Sequence, residues 1–150
     1  MPIIISSISS KEAMEIVNAV VTEASIDGGM PVAVAVTDAV GRLIAFCAMD
    51  GVVPASIKLA QSKAYSAVVG QRDTIQWASF PKNEKEVDFD MRNWTDDNFS
   101  GFTGGVIITD KLGKVIGGIG VSGRKGKMGP NDAIKQDNEL AIFGNNLMKF

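Results

Sequence analysis

Apolar residues recur at helical spacing near the start of the chain, with Ala13, Ile16, Val17, Val20, Val21 and Ala24 on one face. Ser9-Ser10-Lys11-Glu12 stands just before them, and a serine followed three residues later by glutamate is a capping box, which makes Ser9 the N-cap of a first helix. Gly28-Gly29 ends it, because a helix terminus favours a residue free to turn left-handed. The period then changes. Pro31 to Thr37 (PVAVAVT) alternates valine with alanine, Leu43 to Met49 (LIAFCAM) is a second apolar run, and Asp38 to Arg42 (DAVGR) between them carries turn residues. That pattern predicts a β-hairpin. Pro54 suits a helix start and Gly70 a helix stop, so Ala55 to Val69 reads as a second helix with Ile57, Ala60, Ala64, Ala67 and Val68 along its apolar line.

From Gln71 to Thr103 no period holds. Asp73 to Ala78 suits one helical turn, Pro81 to Asp90 is charged, and the stretch reads as a long connection. It nevertheless carries Trp77, Phe80, Phe89, Trp94, Phe99 and Phe102, six of the ten aromatic residues. A solvated linker would not hold them, so a lid, a pocket wall or an interface is expected. Gly105 to Thr109 (GVIIT) and Val115 to Ser122 (VIGGIGVS), joined by the turn Asp110 to Lys114, predict a second hairpin. A basic loop, Gly123 to Gly129, leads to a final helix over Asn131 to Lys149, with Ala133, Ile134, Leu140, Ala141, Leu147 and Met148 on one stripe. The order α-ββ-α-loop-ββ-α uses hairpins in place of crossovers. It predicts an α+β fold, an antiparallel sheet with helices packed on it, as a single domain over 1–150.

Composition narrows the partners. The 150 residues are 45% hydrophobic, with 15 Lys+Arg against 17 Asp+Glu and a formal charge of −2. With no basic field to neutralise phosphates, nucleic acid is not an expected partner. No window approaches the length that spans a bilayer and the amino terminus lacks a signal pattern, so no membrane association and a cytoplasmic location are expected. One cysteine, Cys47 in an apolar run, fits a reducing compartment and reads as a core thiol. There is no histidine. That removes the commonest general base and metal ligand, excludes Ser/His and Cys/His hydrolases, and leaves no expected metal site.

Four constellations carry candidate chemistry. Gly118-Ile-Gly120-Val-Ser-Gly123 fits G-x-G-x-x-G after a strand, but no helix opens at its third glycine, so these glycines read as close-packing positions. Arg124, Lys125 and Lys127 precede the last helix and form either an anion site or a solvated loop. Asp137 falls on the apolar stripe of that helix, where a carboxylate needs a partner: a structural ion pair or a ligand-binding acid. Ser56 and Lys63 lie seven residues apart on one face of the second helix, and Lys63 among small residues is either a snorkelling surface lysine or a partly buried one with a lowered pKa.

Taken together, several segments resemble the GlcG/HbpS-like, or haem-degrading domain (DUF336), family. They are Pro31 to Asp38 (PVAVAVTD) with Gly41, Phe46 to Gly51 (FCAMDG), Pro54-Ala-Ser56, Ala60-Gln-Ser-Lys-Ala64, Gly104-Gly105, Val115 to Gly123 (VIGGIGVSG) and Gln136-Asp137-Asn138-Glu139-Leu-Ala141. The resemblance implies a profilin-like fold with a five-stranded antiparallel sheet flanked by helices, and a homo-oligomer. It also implies either haem or corrinoid binding or an accessory role in catabolism. Some relatives supply a histidine to the iron and this chain has none, so no cofactor is expected and haem is disfavoured. The expected function is binding of a small organic acid or aromatic metabolite, or an isomerase, hydratase or lyase acting without a cofactor. The alternatives are a haem or corrinoid carrier or sensor and a structural oligomeric accessory. Asp137 and Lys63 are the candidate catalytic residues. Ser56, Gly104, Gly105, Ser122, Arg124 and Trp94 are the candidate ligand-binding residues.

Overall fold

The computed structural model describes residues 1–77, 95–124 and 133–148. Among them, helix α1 (Ser10–Ile26) leads to strands β1 (Ala33–Asp38) and β2 (Leu43–Ala48), helix α2 (Pro54–Gly70), strands β3 (Gly105–Thr109) and β4 (Val115–Ser122), and helix α3 (Asp137–Asn146). The capping box is formed: Glu12 N–H donates to Ser9 Oγ at 3.2 Å and Ser9 N–H to Glu12 Oε1 at 2.9 Å. Gly28 at φ +76 follows the end of α1. Both hairpins form, and residues 74–77 make the expected single turn, of 3-10 type.

The sheet is antiparallel, in the order β2-β1-β4-β3. Among the described residues it has four strands, one fewer than the family resemblance implied. Its outer strands differ. Along β3, Thr74 Oγ1 accepts from Gly105 N–H and Asp73 Oδ1 from Ile107 N–H, both at 2.9 Å, so the turn after α2 satisfies that edge. Among the described residues β2 is paired on one side only.

The Val/Ala alternation of β1 sorts two faces. Val32, Val34 and Val36 join Ile16, Val20, Ile119, Val121 and Leu140 in the main core beneath α1 and α3. Ala33 and Ala35 pack with Ala60 and Ala64 of α2. On that second face glycines replace side chains, because α2 lies close to the strands. A Cβ at Gly120 would run into Ala60 O, one at Gly105 into Lys63 O, and one at Gly118 would come within 2.6 Å of Ala64 O. The first two glycines of the G-x-G-x-x-G match, Gly118 and Gly120, are therefore a packing surface for a helix, whereas Gly123 lies against Pro31 and Val32.

Two boundaries differ from expectation. α2 continues through Gly70, whose missing Cβ makes room for the Trp77 ring, and the left-handed residue is Gln71 at φ 57. α3 begins at Asp137, with Gln136 as N-cap, and residues 133–136 are not helical; Asn131 and Lys149, the bounds expected for this helix, lie outside the described residues. Ala133 and Ile134 precede it, and Asp137 and Glu139 lie in its first turn, where the helix dipole favours carboxylates.

Candidate functional site

α2 brings Ser56, Leu59 and Lys63 to one side of the helix, where they face the end of β4 and the start of α3. Lys63 is only 3% exposed, so it is the buried lysine and not the snorkelling one. Its Nζ donates to Val121 O at 2.9 Å and to Asp137 Oδ2 at 3.0 Å. The other carboxylate oxygen of Asp137 accepts the Arg124 N–H at 2.9 Å. Burial pushes the Lys63 ammonium below its ordinary value, and the Asp137 carboxylate beside it partly opposes that shift.

Gly104, at φ +120, stands before this pair; a Cβ there would lie 3.1 Å from Lys63 Nζ and 3.0 Å from Asp137 Cβ. Its glycine keeps the space beside the amine open. Gly105 plays another part, since its N–H is taken by Thr74. The pocket in front of Lys63 has a volume of about 360 Å³ and is lined by Ser56, Ser122 and Asp137, with Val53, Leu59 and Phe102 as apolar wall. The hydroxyls of the buried Ser56 and Ser122 make no hydrogen bond among the described residues.

Arg124, expected to hold an anion, has its guanidinium committed elsewhere. Its two terminal nitrogens donate to both carboxylate oxygens of Asp27, at 2.9 and 3.0 Å, and to Lys135 O and Ala24 O. This side-chain pair is buried and ties the end of α1 to the segment before α3. Burial alone would raise the Asp27 carboxyl. Bonds from Arg124 and from the Gly29 and Lys135 amides outweigh it and hold the group below the ordinary carboxylate value. Trp94, Lys125 and Lys127 lie outside the described residues.

A larger cleft of about 660 Å³ adjoins this pocket along α2. Ala55, Lys58, Leu59 and Ser62 form one wall, and Asp97, Phe99, Ser100, Gly101 and Phe102 form the other. The two spaces share Ala55, Leu59 and Phe102. The second wall is held on α2 by Tyr65, which donates to Asp96 Oδ2 at 2.7 Å, and by Ser66 Oγ, which accepts the Ser100 N–H at 2.7 Å. The hydrogen bond to Asp96 keeps the Tyr65 hydroxyl protonated beyond its ordinary range. Phe99 meets the Trp77 ring edge-on, with centroids 5.4 Å apart. Lys58, Ser62 and Asp97 were not among the residues singled out from sequence. Their signal was the spacing of Ala55, Lys58, Leu59 and Ser62 on one helix face, together with the aromatic density of the long connection.

Comparison with known proteins gives a family. The profile described as "Haem degrading protein HbpS-like" matches residues 8–134. HbpS of Streptomyces reticuli, solved as a double mutant, is 26% identical with a TM-score of 0.78, over 99% of this chain and 92% of that one. PduOC, solved in complex with haem, is 22% identical with a TM-score of 0.77, over 95% of each chain. Protein ORFY of Klebsiella pneumoniae is also 22% identical with a TM-score of 0.77, over 97% of this chain and 92% of that one. No curated protein matches the sequence. The expectation that no cofactor is involved, with haem disfavoured by the missing histidine, is overturned by the haem-degrading description of the family and by the haem complex of PduOC. Among the described residues no helix is long and apolar enough to cross a membrane.

Proposed function

The chain belongs to the HbpS-like family, and on that premise we propose that it binds haem in the cleft between α2 and the segment 97–102. The observation that carries the reading is the cleft itself. Its volume of about 660 Å³ lies in the range of small-molecule sites, roughly 300–1,000 Å³. Its walls are mainly apolar, with Ala55, Leu59, Phe99 and Phe102 presented to the macrocycle. Lys58, exposed at the rim, suits the propionate carboxylates. With no histidine in the chain, the donor of the described lining nearest in kind to an iron ligand is the Asp97 carboxylate. Bound haem would supply one-electron and O₂ chemistry. The protein's part is to cover the ring faces, exclude water through Phe99 and Phe102, and hold the carboxylates.

Two variants on the exposed rim test this without disturbing the core. Phe102→Ser removes an aromatic wall that is 66% exposed, and Lys58→Ala removes the cation. Each should weaken haemin binding several-fold at unchanged melting temperature. Unaltered binding in both would remove the cleft as the site.

The small-molecule reading keeps one specific support. Lys63 and Asp137 meet at a second, more polar pocket, and two groups able to exchange a proton beside a cavity are the equipment of acid–base or covalent chemistry.

A further inference from the structure

We propose that Lys63 captures small neutral hydroxy-aldehydes or hydroxy-ketones as an imine on Nζ, in the pocket of about 360 Å³ before it. The site lies beside the haem cleft and does not depend on haem being bound.

Three observations carry it. The amine is fixed in the wall of a cavity: two acceptors, Val121 O and Asp137 Oδ2, account for two of its N–H bonds, and the glycine at 104 leaves clear the volume that a Cβ would fill 3.1 Å away. A proton acceptor is in contact with it, the Asp137 carboxylate at 3.0 Å. Two buried hydroxyls, Ser56 and Ser122, line the same space and make no hydrogen bond among the described residues, so they suit the hydroxyl groups of a ligand. The substrate class follows from charge. Lys63 and Asp137 offset each other, and the Arg124 guanidinium, the other cation of the lining, is committed to Asp27. A carboxylate on the substrate would face Asp137 with no uncommitted cation among the described lining residues to hold it, which selects neutral carbonyl compounds. Val53, Leu59 and Phe102 cover the carbon side, and the exposure of Val53 and Phe102 places the opening at their end.

The chemistry balances within the pair. Asp137 takes one proton from the ammonium, and the freed amine adds to the carbonyl carbon. A second N–H proton passes to the carbonyl oxygen to give a carbinolamine. Asp137 returns its proton to that hydroxyl, which leaves as water, and the C=N bond forms as an iminium paired with the regenerated carboxylate. The lowering of the Lys63 pKa by burial eases the first transfer.

The test is reductive trapping with glycolaldehyde and cyanoborohydride on the intact protein at neutral pH, read by peptide mapping. The expected result is saturable labelling of Lys63, about ten-fold or more ahead of the exposed Lys11 and Lys58, as fits a desolvated amine against solvated ones. Glycolaldehyde should be preferred over acetaldehyde, and Ser122→Ala should erase about five-fold of that preference, as one lost hydrogen bond does. Labelling of Lys63 no faster than of Lys11 and Lys58 would overturn the proposal. Fast labelling indifferent to the hydroxyl and to Ser122→Ala would overturn the substrate class. Since haemin binding is read separately, failure here leaves the haem reading standing, and the converse holds.

Discussion

Replacing Asp137 by asparagine puts a number on the contact at the centre of the polar pocket. The amide keeps the shape, and its oxygen can still accept the Arg124 N–H, but its NH₂ end then faces an ammonium that is 97% covered, since Lys63 is 3% exposed. Among the described residues Val121 O then remains as the one acceptor of that charge. Removing one partner of a buried ion pair costs about 3–5 kcal/mol; the 13% exposure of the Asp137 side chain and the surviving Val121 bond place the cost at the low end, about 3 kcal/mol. For a chain of this size that is a fall in Tm of roughly 6–12 °C. The deficit should shrink as pH rises. The folded Lys63 binds its proton less tightly than the unfolded one, more so without Asp137, so between the two pKa values the unfolded chain holds more protons and stability climbs with pH. Lys63→Met in the same background removes the stranded charge and should recover most of the loss. Thermal and urea unfolding at two pH values measure all of this. A single Asp137→Asn change that leaves Tm within about 2 °C of the parent, with no pH dependence, would refute the reasoning.

Gly120→Ala should cost about 1–3 kcal/mol or more, because its Cβ would run into Ala60 O of α2; urea unfolding measures it, and a neutral result would mean α2 does not sit as close as described. Asp27, held below its ordinary value, contributes stability that is present above about pH 4 and is lost as pH falls through its folded pKa. Arg124→Leu, which leaves Asp27 without its cation, should flatten that acid limb in pH-dependent unfolding while already lowering stability at neutral pH. We further expect a homo-oligomer, since β2 is an uncharged apolar strand that among the described residues is paired on one side only, whereas β3 is satisfied by Asp73 and Thr74. Light scattering at micromolar concentration decides this, and a single species of 15.9 kDa would contradict it.

What could be read without coordinates was local. The capping box at Ser9 and Glu12, the Val/Ala alternation of β1 and the turn residues between paired strands act within a few positions, and each formed where expected. The start of α3 was misplaced because an apolar stripe from Ala133 competed with a first-turn signal, Asp137 and Glu139, and the dipole rule describes the outcome. That shift also changes why Asp137 is partly buried: it is the first residue of the helix, turned toward Lys63 and the Arg124 N–H, and does not interrupt a helix face. The partners of the charged residues were the least legible. Lys63 and Asp137 are 74 positions apart, and Arg124 and Asp27 are 97 apart. Both pairings are set by how β4 brings its end against α1 and α2, which no spacing in the chain encodes. The larger cleft was half visible, since Phe99 and Phe102 were expected in a pocket wall, while Lys58 and Ser62 resembled ordinary helix surface.

The proposed binding of haem by this histidine-free chain, in the cleft along α2, is tested most directly by a haemin titration of the purified protein followed in the Soret region. The expected result is a saturable spectral change with one haem per chain, weakened by Lys58→Ala, and a spectrum altered by an Asp97→Asn change, since Asp97 carries the carboxylate donor of the described lining. A linear, non-saturating absorbance that matches free haemin in buffer at every protein concentration would contradict it.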